Sequence, residues 1–258
     1  MLTSYTAGML AGFLIVMVGK NSAHMLFLGR PLRFWRAAWR PDRSWIARGI
    51  WAMGIFAISG LACLAPRLMG PAWQLPAGVE MLAEWLAGLS ALFIMFYDGL
   101  LMSASPAIPF WRTPMLPLLV LMYATLGGTT LSLTLRGIMG VSDQFVPVLL
   151  QGERLLLLIN LLFLGVYLLR MSRWAPASRE TVRLLLSGTY AWAFVGIVVT
   201  VGLIATLLLS LAAEGTAGAW LLIVIAACEL TGDYTLLLLL LKSALFTPQS
   251  AYPVEAVR

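Results

Sequence analysis

Charged residues are scarce in this sequence and make up 11% of its 258 residues. A soluble domain usually carries about a quarter charged residues. Hydrophobic residues account for 61% of the chain, and the mean hydropathy is +0.92. So few charges could not cover a water-soluble globule of this size. The composition therefore excludes a soluble protein.

Cysteine and histidine are scarcer still, with two cysteines and one histidine in the whole chain. Cys63 and Cys228 both fall inside apolar runs, which excludes a disulfide framework and a Cys-x-x-Cys metal or iron–sulfur motif. His24 alone cannot supply two histidine ligands to a haem. We therefore expect neither haem nor metal within this chain.

Long apolar runs dominate the sequence instead. Seven runs each reach the roughly 20 residues that a helix needs to cross the hydrocarbon core of a bilayer. They occupy residues 6–28, 45–65, 79–103, 115–135, 145–169, 184–213 and 217–241. The sequence predicts an all-α integral membrane protein, with one transmembrane domain over residues 1–258 folded as a bundle of seven transmembrane helices.

The positions of the basic residues predict an orientation. Most of the 17 Lys and Arg follow the first, third and fifth runs or lie near the C-terminus. Such segments face the cytoplasm by the positive-inside rule. We therefore expect the N-terminus outside and the C-terminus in the cytoplasm, in a bacterial cytoplasmic (inner) membrane. Because topology accounts for the basic residues, nucleic acid is not an expected partner.

The connection after the first run carries a distinct pattern of aromatic and basic residues. Leu32, Trp35 and Trp39 stand at helical spacing with arginines between them. This pattern is typical of a short helix that lies in the membrane surface. It is equally typical of a basic loop with interfacial tryptophan anchors.

Several ionisable residues fall inside the apolar runs, where a charge costs about 2.5–3.5 kcal/mol at the bilayer centre. A rise of about 1.5 Å per residue, counted from the outer end, places them in three layers. From outside to inside these are Glu84, Glu153 and Arg154, then Glu229, then Lys20, His24, Asp98 and Asp233. The innermost bases and acids are expected to pair. Such groups form either structural ion pairs or a path for protons, and the mid-depth position of Glu229 and Asp233 favours the proton path.

Three blocks of the sequence resemble the polysulfide-reductase/NrfD-type family of membrane subunits, to which the dimethyl-sulfoxide-reductase anchor is related. The blocks are LGRPLRFW at residues 28–35, SWIARG at 44–49 and YDGLLMS at 97–103. The resemblance extends from about residue 24 to residue 248. One difference is that a single apolar run precedes the first block, whereas the common short form of the family has eight spans.

The resemblance implies a membrane anchor subunit of a multi-subunit respiratory oxidoreductase. Such a subunit exchanges electrons between a quinone (menaquinone or ubiquinone) and a ferredoxin-like iron–sulfur subunit, which serves a molybdopterin-type catalytic subunit. Quinone chemistry couples two electrons to two protons, so acidic groups must relay protons. Depth and resemblance together indicate a quinone pocket near the outer face, with Glu84, Trp85, Glu153 and Arg154 as the quinone-binding residues. The expected proton-transfer residues are His24, Asp98, Glu229 and Asp233.

Other functions fit the sequence less well. The missing first helix favours a structural anchor of such a complex that has no quinone site of its own. A seven-helix retinal protein needs a lysine in the middle of the last helix, whereas Lys242 lies at its cytoplasmic end. A secondary transporter would show internal repeats with matching helix breaks, and the sequence shows no such repeat.

Overall fold

The computed structural model describes residues 3–27, 30–140, 145–213 and 218–246. Within these ranges the chain is helical and has no β-strand. Seven of the described helices are long and apolar enough to cross a membrane: α1 (Ser4–Leu26), α2 (Trp45–Met69), α3 (Ala77–Ser103), α4 (Met115–Ile138), α5 (Phe145–Trp174), α6 (Trp192–Ala212) and α7 (Ala219–Lys242). The all-helical class and the number of predicted spans are confirmed, while the side that each terminus faces stays a prediction.

The ends of these helices follow local chemistry. The hydroxyl oxygens of Thr3 and Ser44 accept hydrogen bonds from the backbone N–H of Thr6 (3.2 Å) and of Ala47 (3.3 Å), and so cap α1 and α2. Such caps satisfy backbone donors that have no partner within the helix. Gly70, at φ +91°, terminates α2 with a backbone conformation that other residues rarely adopt.

The sixth helix begins later than the sequence predicts. The apolar run predicts a span from residue 184, but residues 184–186 end a separate helix, Pro176–Leu186, which we call the connecting helix. Ser187 leaves the helical conformation at φ −140° and ψ 0°, and α6 starts at Trp192. Hydropathy extends the predicted span to residue 184 because the leucines at 184–186 are as apolar as the residues of α6.

A short 3₁₀ helix, Pro31–Trp39, follows α1 where the sequence allows either a surface helix or a loop. The indole N–H of Trp51, in α2, donates to the carbonyl of Ala38 at 3.1 Å and holds this helix against the bundle. The first residues of the LGRPLRFW block, 28 and 29, lie outside the described residues. We call this end of the bundle the arginine-rich end, since the connections after α1, α3 and α5 all lie here, and the opposite end the arginine-poor end.

Packing differs between α1–α3, the N-terminal half, and α4–α7, the C-terminal half. Two clusters of buried apolar side chains form the core, and their members come from α4–α7 with the adjoining connections. Two hydrogen bonds tie the α3–α4 connection to this core, from Tyr167 Oη to the Phe110 carbonyl (2.6 Å) and from the Trp111 indole to the Leu240 carbonyl (2.9 Å). By contrast, the most apolar stretch of α1, 18 residues long, has no buried residue.

Candidate functional sites

An open crevice of about 460 Å³ lies between the three helices of the N-terminal half. Glycines from all three helices line it, namely Gly8 and Gly12 of α1, Gly60 of α2 and Gly88 of α3. A Cβ atom on Gly8, Gly12 or Gly88 would meet no other atom within 4 Å. The absence of side chains at these positions therefore keeps the space open. Pockets that bind small organic ligands are typically about 300–1,000 Å³ and mostly apolar.

Charged groups stand at the arginine-poor end of this crevice. Glu84 lines it, and Arg67 of α2 approaches the Glu84 carboxylate to 3.0 Å and that of Glu80 to 3.8 Å. Arg67 also donates to the carbonyl of Cys63, another lining residue. The guanidinium is thus fixed beside the crevice, with donors that a ligand oxygen could use.

A second ion pair stands at the opposite end of the crevice. Lys20 Nζ lies 2.8 Å from the Asp98 carboxylate and donates to the carbonyl of Ile94 at 3.3 Å. Ile94 also lines the crevice. Lys20 closes a π-helical segment of α1, Ile15–Lys20, and π-helical segments occur often at functional sites. The apolar crevice therefore runs between two acid–base pairs.

The expected inner group of two bases and two acids is only partly assembled. Lys20 pairs with Asp98, and the His24 ring nitrogen Nδ1 lies 2.8 Å from the Lys20 carbonyl. Asp233, the second acid, lies instead beside Glu229 in the C-terminal half. The structure thus joins three of the four residues and places the fourth in another cluster.

A buried carboxylate cluster occupies the interior of the C-terminal half. Glu153 of α5 and Glu229 of α7 are both 0% exposed. The Thr130 hydroxyl, on α4 between them, donates to Glu153 at 3.0 Å and is also hydrogen-bonded to Glu229. Ser210 of α6 donates to the other oxygen of Glu153 at 2.7 Å. Four helices therefore meet at one set of polar side chains.

The Thr130 bridge constrains the protons of this cluster. A threonine hydroxyl carries one proton and donates to only one acceptor at a time. Its hydrogen bond to the second carboxyl group requires that group to be protonated and to donate to Thr130. The bridge is therefore complete only when Glu153 or Glu229 holds a proton.

Glycine at position 127 leaves room beside two of these acids. A Cβ atom there would lie 3.8 Å from the Asp233 carboxylate and 3.9 Å from that of Glu229, so both acids point at the same notch in α4. One oxygen of each acid, Glu229 Oε1 and Asp233 Oδ1, has no hydrogen-bond partner among the described residues. Buried oxygens of this kind are normally satisfied by a proton donor. Of the two unpartnered oxygens, Glu229 Oε1 faces the notch, which is therefore a place where a proton or a water molecule can be held beside it.

The structure divides the residues expected to bind quinone between the two halves. Glu84 lines the crevice, whereas the Trp85 side chain is 65% exposed and is not among the residues that line it. Glu153 belongs to the buried carboxylate cluster, and beside it Arg154 donates to the Ser210 carbonyl at 2.6 Å. These residues lie at similar depths in the membrane. They are nevertheless apart, because their side chains project from helix faces that point to different parts of the bundle.

Sequence reasoning missed the neutral and basic partners of the acids. Thr130 and Ser210 link the carboxyl groups of the C-terminal half, and Arg67 pairs with Glu84. A hydroxyl in an apolar helix gives little signal, because most such hydroxyls bond to the carbonyl four residues earlier, as Thr129 does.

No group of three or more His, Cys, Asp and Glu residues suited to a metal ion occurs among the residues described.

The chain is a multi-pass integral membrane protein, a bundle of helices with acidic side chains buried inside it. The family described as Polysulphide reductase, NrfD, matches residues 5–249, nearly the whole chain. The chain therefore belongs to the NrfD family, as its sequence blocks indicate. NrfD proteins are membrane subunits of quinone-interacting oxidoreductase complexes and typically pair with iron–sulfur and catalytic subunits. No curated protein matches the chain.

Proposed function

We propose that this subunit exchanges electrons between a membrane quinone and an iron–sulfur partner, and that its buried carboxyl groups relay the accompanying protons. The observation that carries the proposal is the glycine-lined crevice of about 460 Å³ with an acid–base pair at each end. A flat apolar ring fits a slot that is lined by glycines and by apolar side chains such as Phe13 and Phe56, and its polar oxygens can meet the charged groups near the ends. Membership of a quinone-interacting family supports the same ligand.

The residues around the crevice would each have a defined role. Bound quinol supplies two electrons and two protons on oxidation. The Arg67 guanidinium can donate a hydrogen bond to a ring oxygen, and Glu84, paired with it at 3.0 Å, can accept a proton there. At the other end, Asp98 can take up a proton while Lys20 holds its carboxylate in place. His24, one turn from Lys20, would exchange that proton with water at the arginine-rich end.

The C-terminal cluster would provide a second route for protons. Glu153, Thr130 and Glu229 form a continuous hydrogen-bonded bridge, and Asp233 lies one helical turn beyond Glu229. A proton that reaches one end of such a bridge can be matched by the release of another from its far end. This arrangement suits proton transfer better than a fixed ion pair, since two of its oxygens have no described partner.

The proposal also assigns sides and partners. The arginine-rich end would face the cytoplasm of a bacterium, by the positive-inside rule. The arginine-poor end, with Glu84 near it, would then carry the ferredoxin-like iron–sulfur subunit and, beyond that, a molybdopterin-type catalytic subunit. This placement keeps the crevice close to the nearest iron–sulfur cluster, as electron transfer requires.

The test fills the crevice in the assembled complex. Gly12→Leu projects a side chain into the open space and should lower quinol-dependent reduction of the iron–sulfur partner by at least about tenfold, through loss of binding. Gly54→Leu is the matched control, since a Cβ atom on Gly54 would also meet no other atom within 4 Å, but Gly54 does not line the crevice. Unchanged turnover in a folded Gly12→Leu complex would contradict the proposed site.

The same assay separates a purely structural anchor from a quinone-reactive subunit. In an anchor, removing this subunit would leave the quinol-dependent reduction of the partner's clusters unchanged when the partner is supplied in solution. In the proposed function, that reduction disappears together with the subunit.

A further inference from the structure

A second cavity, a groove of about 650 Å³, lies between α3 and α4 at the arginine-rich end. Phe96, Leu100 and Ser103 of α3 form one wall, and Pro117, Leu118 and Leu121 of α4 are among the residues of the other. On each helix these positions lie about one turn apart along a single face. The groove therefore extends roughly 10 Å along the helices, the length of about seven residues. It shares no lining residue with the N-terminal crevice.

Close packing of the backbone fixes the floor of this groove. A Cβ atom on Gly99 would lie 2.5 Å from the Pro117 Cα, so α3 and α4 touch backbone to backbone there. The apolar cleft lies between α3 and α4 beside this contact. Because backbone atoms form the contact, the cleft does not depend on the rotamer of a flexible side chain.

One positive charge marks the end of the groove. Arg112 is the only charged residue among those that line it, and its side chain is exposed. Its guanidinium makes no hydrogen bond or ion pair with any other residue in the described part of the chain. Thr113 lines the groove beside it, just before α4 begins at Met115. The positive end of the α4 dipole adds to the attraction for an anion at this point.

We infer that this groove binds one anionic phospholipid, with the phosphate at Arg112 and part of an acyl chain along the apolar walls. A guanidinium binds a phosphate oxygen pair in a bidentate manner. Basic pockets between transmembrane helices suit anionic headgroups. A neutral quinone offers the guanidinium no negative charge, whereas a phosphodiester carries one. The inference is independent of the proposed quinone site.

Native mass spectrometry of the full chain tests the inference with dioleoyl-phosphatidylglycerol and dioleoyl-phosphatidylcholine as probes. The unmodified protein should retain phosphatidylglycerol about tenfold more tightly than phosphatidylcholine, because the choline cation of phosphatidylcholine offsets the charge of its phosphate and is repelled by Arg112. Arg112→Gln should remove this preference, and Arg112→Lys should keep part of it. Leu118→Trp, which fills the groove, should weaken retention of both lipids. Arg43→Gln is the matched control, an exposed arginine of the same end that does not line the groove.

Three results would overturn the inference: equal retention of the two lipids by the unmodified protein, retention unchanged by Arg112→Gln, or displacement of phosphatidylglycerol by a short-chain quinone. The unmodified protein provides a readout that does not depend on any variant. Its melting temperature should rise more with added phosphatidylglycerol than with phosphatidylcholine, which binds more weakly. An equal rise with both lipids would likewise overturn the inference.

Discussion

Two sets of glycines, one in each half of the bundle, lie in opposite surroundings. In the N-terminal half, Gly8, Gly12 and Gly88 face open space, and the crevice exists because they do. In the C-terminal half, a Cβ atom on Gly232 would lie 2.5 Å from the Gly202 Cα, so α6 and α7 are in backbone contact. The same residue type therefore leaves open space at the crevice and allows close backbone contact between α6 and α7.

The acids follow the same division. Glu84 and Asp98 are 47% and 39% exposed and each pairs with a base. Glu153 and Glu229 are fully buried and share the Thr130 hydroxyl group. Under the proposed function, the N-terminal half would admit the quinone, and the C-terminal half would hold protons away from lipid and water. The predictions below test this division, from the largest expected effect to the smallest.

Alanine at the two kinds of glycine should have effects of opposite sign. Gly232→Ala forces α6 and α7 apart and should cost about 3 kcal/mol, since backbone atoms cannot rotate away. Gly88→Ala meets nothing within 4 Å and should raise stability slightly, by up to about 1 kcal/mol, through helix propensity. Melting temperatures of the purified variants measure both effects. Equal destabilisation by the two substitutions would remove the distinction between the halves.

Glu84→Gln should slow quinol turnover without lowering stability. The substitution removes a proton acceptor beside the crevice, and such groups typically contribute about a hundredfold or more to rate. Glu80→Gln is the control, because Glu80 lies farther from Arg67, at 3.8 Å, and does not line the crevice. Turnover that is equal in the two variants would exclude Glu84 from the site.

Thr130→Val should destabilise the C-terminal half by about 1–3 kcal/mol. It keeps the side-chain shape but leaves two buried carboxyl groups without their shared partner. Thr129→Val is the matched control, since the Thr129 hydroxyl bonds only to the Thr125 carbonyl among the described residues. Melting temperature measures the cost, and the turnover of the assembled complex shows whether proton transfer depends on the bridge. A melting temperature equal to that of Thr129→Val would contradict the shared-proton bridge.

Lys20→Met should cost about 1 kcal/mol or less. The Lys20–Asp98 pair is partly exposed, and such pairs contribute little on balance. The double variant Lys20→Met with Asp98→Leu should recover most of the loss, because it removes the unpaired carboxylate as well. Thermal melting of the two variants tests this, and a loss that the double variant fails to recover would point to a role of Lys20 beyond the pair.

Arg183→Gln should have the smallest effect. Its hydrogen bond from the guanidinium holds the pKa of the exposed Glu180 below the ordinary value of a glutamate. The stabilisation from this pair is therefore present above the ordinary glutamate pKa of about 4.3 and is lost as the pH falls through the lowered value. Melting curves of the variant and the unmodified protein should converge at acidic pH and in high salt. A difference that persists at acidic pH would show that Arg183 acts through packing instead.

Sequence reasoning predicts depth well and helix rotation poorly. Composition and run length are enough to predict seven helices, because each must span the same thickness of hydrocarbon. They cannot predict which face of α5 meets α4, and so depth groups Glu153 with Glu84 although Glu153 bonds to Thr130. Rotation about the helix axis is decided by packing between helices that are distant in sequence.

The break before α6 shows a second limit of the sequence. Residues 184–186 and Trp192–Ala212 are both apolar, and a short break that begins at Ser187 separates them. The π-helical geometry of Trp192–Ala205 is also outside the reach of the sequence, since its repeat differs from the 3.6 residues assumed in a helical pattern. Close contact of Gly202 with Gly232 is a feature of this segment that hydropathy does not encode.

Gly88 and Glu84 line the crevice and are themselves exposed on the outer surface of α3, so the opening faces sideways. A molecule that enters there comes from within the lipid layer. Under the proposed function, the rate of the assembled complex would depend on the number of quinol molecules per lipid and hardly at all on their amount per volume of buffer. Diluting vesicles in water would leave the rate per complex constant, whereas fusing them with empty vesicles would lower it.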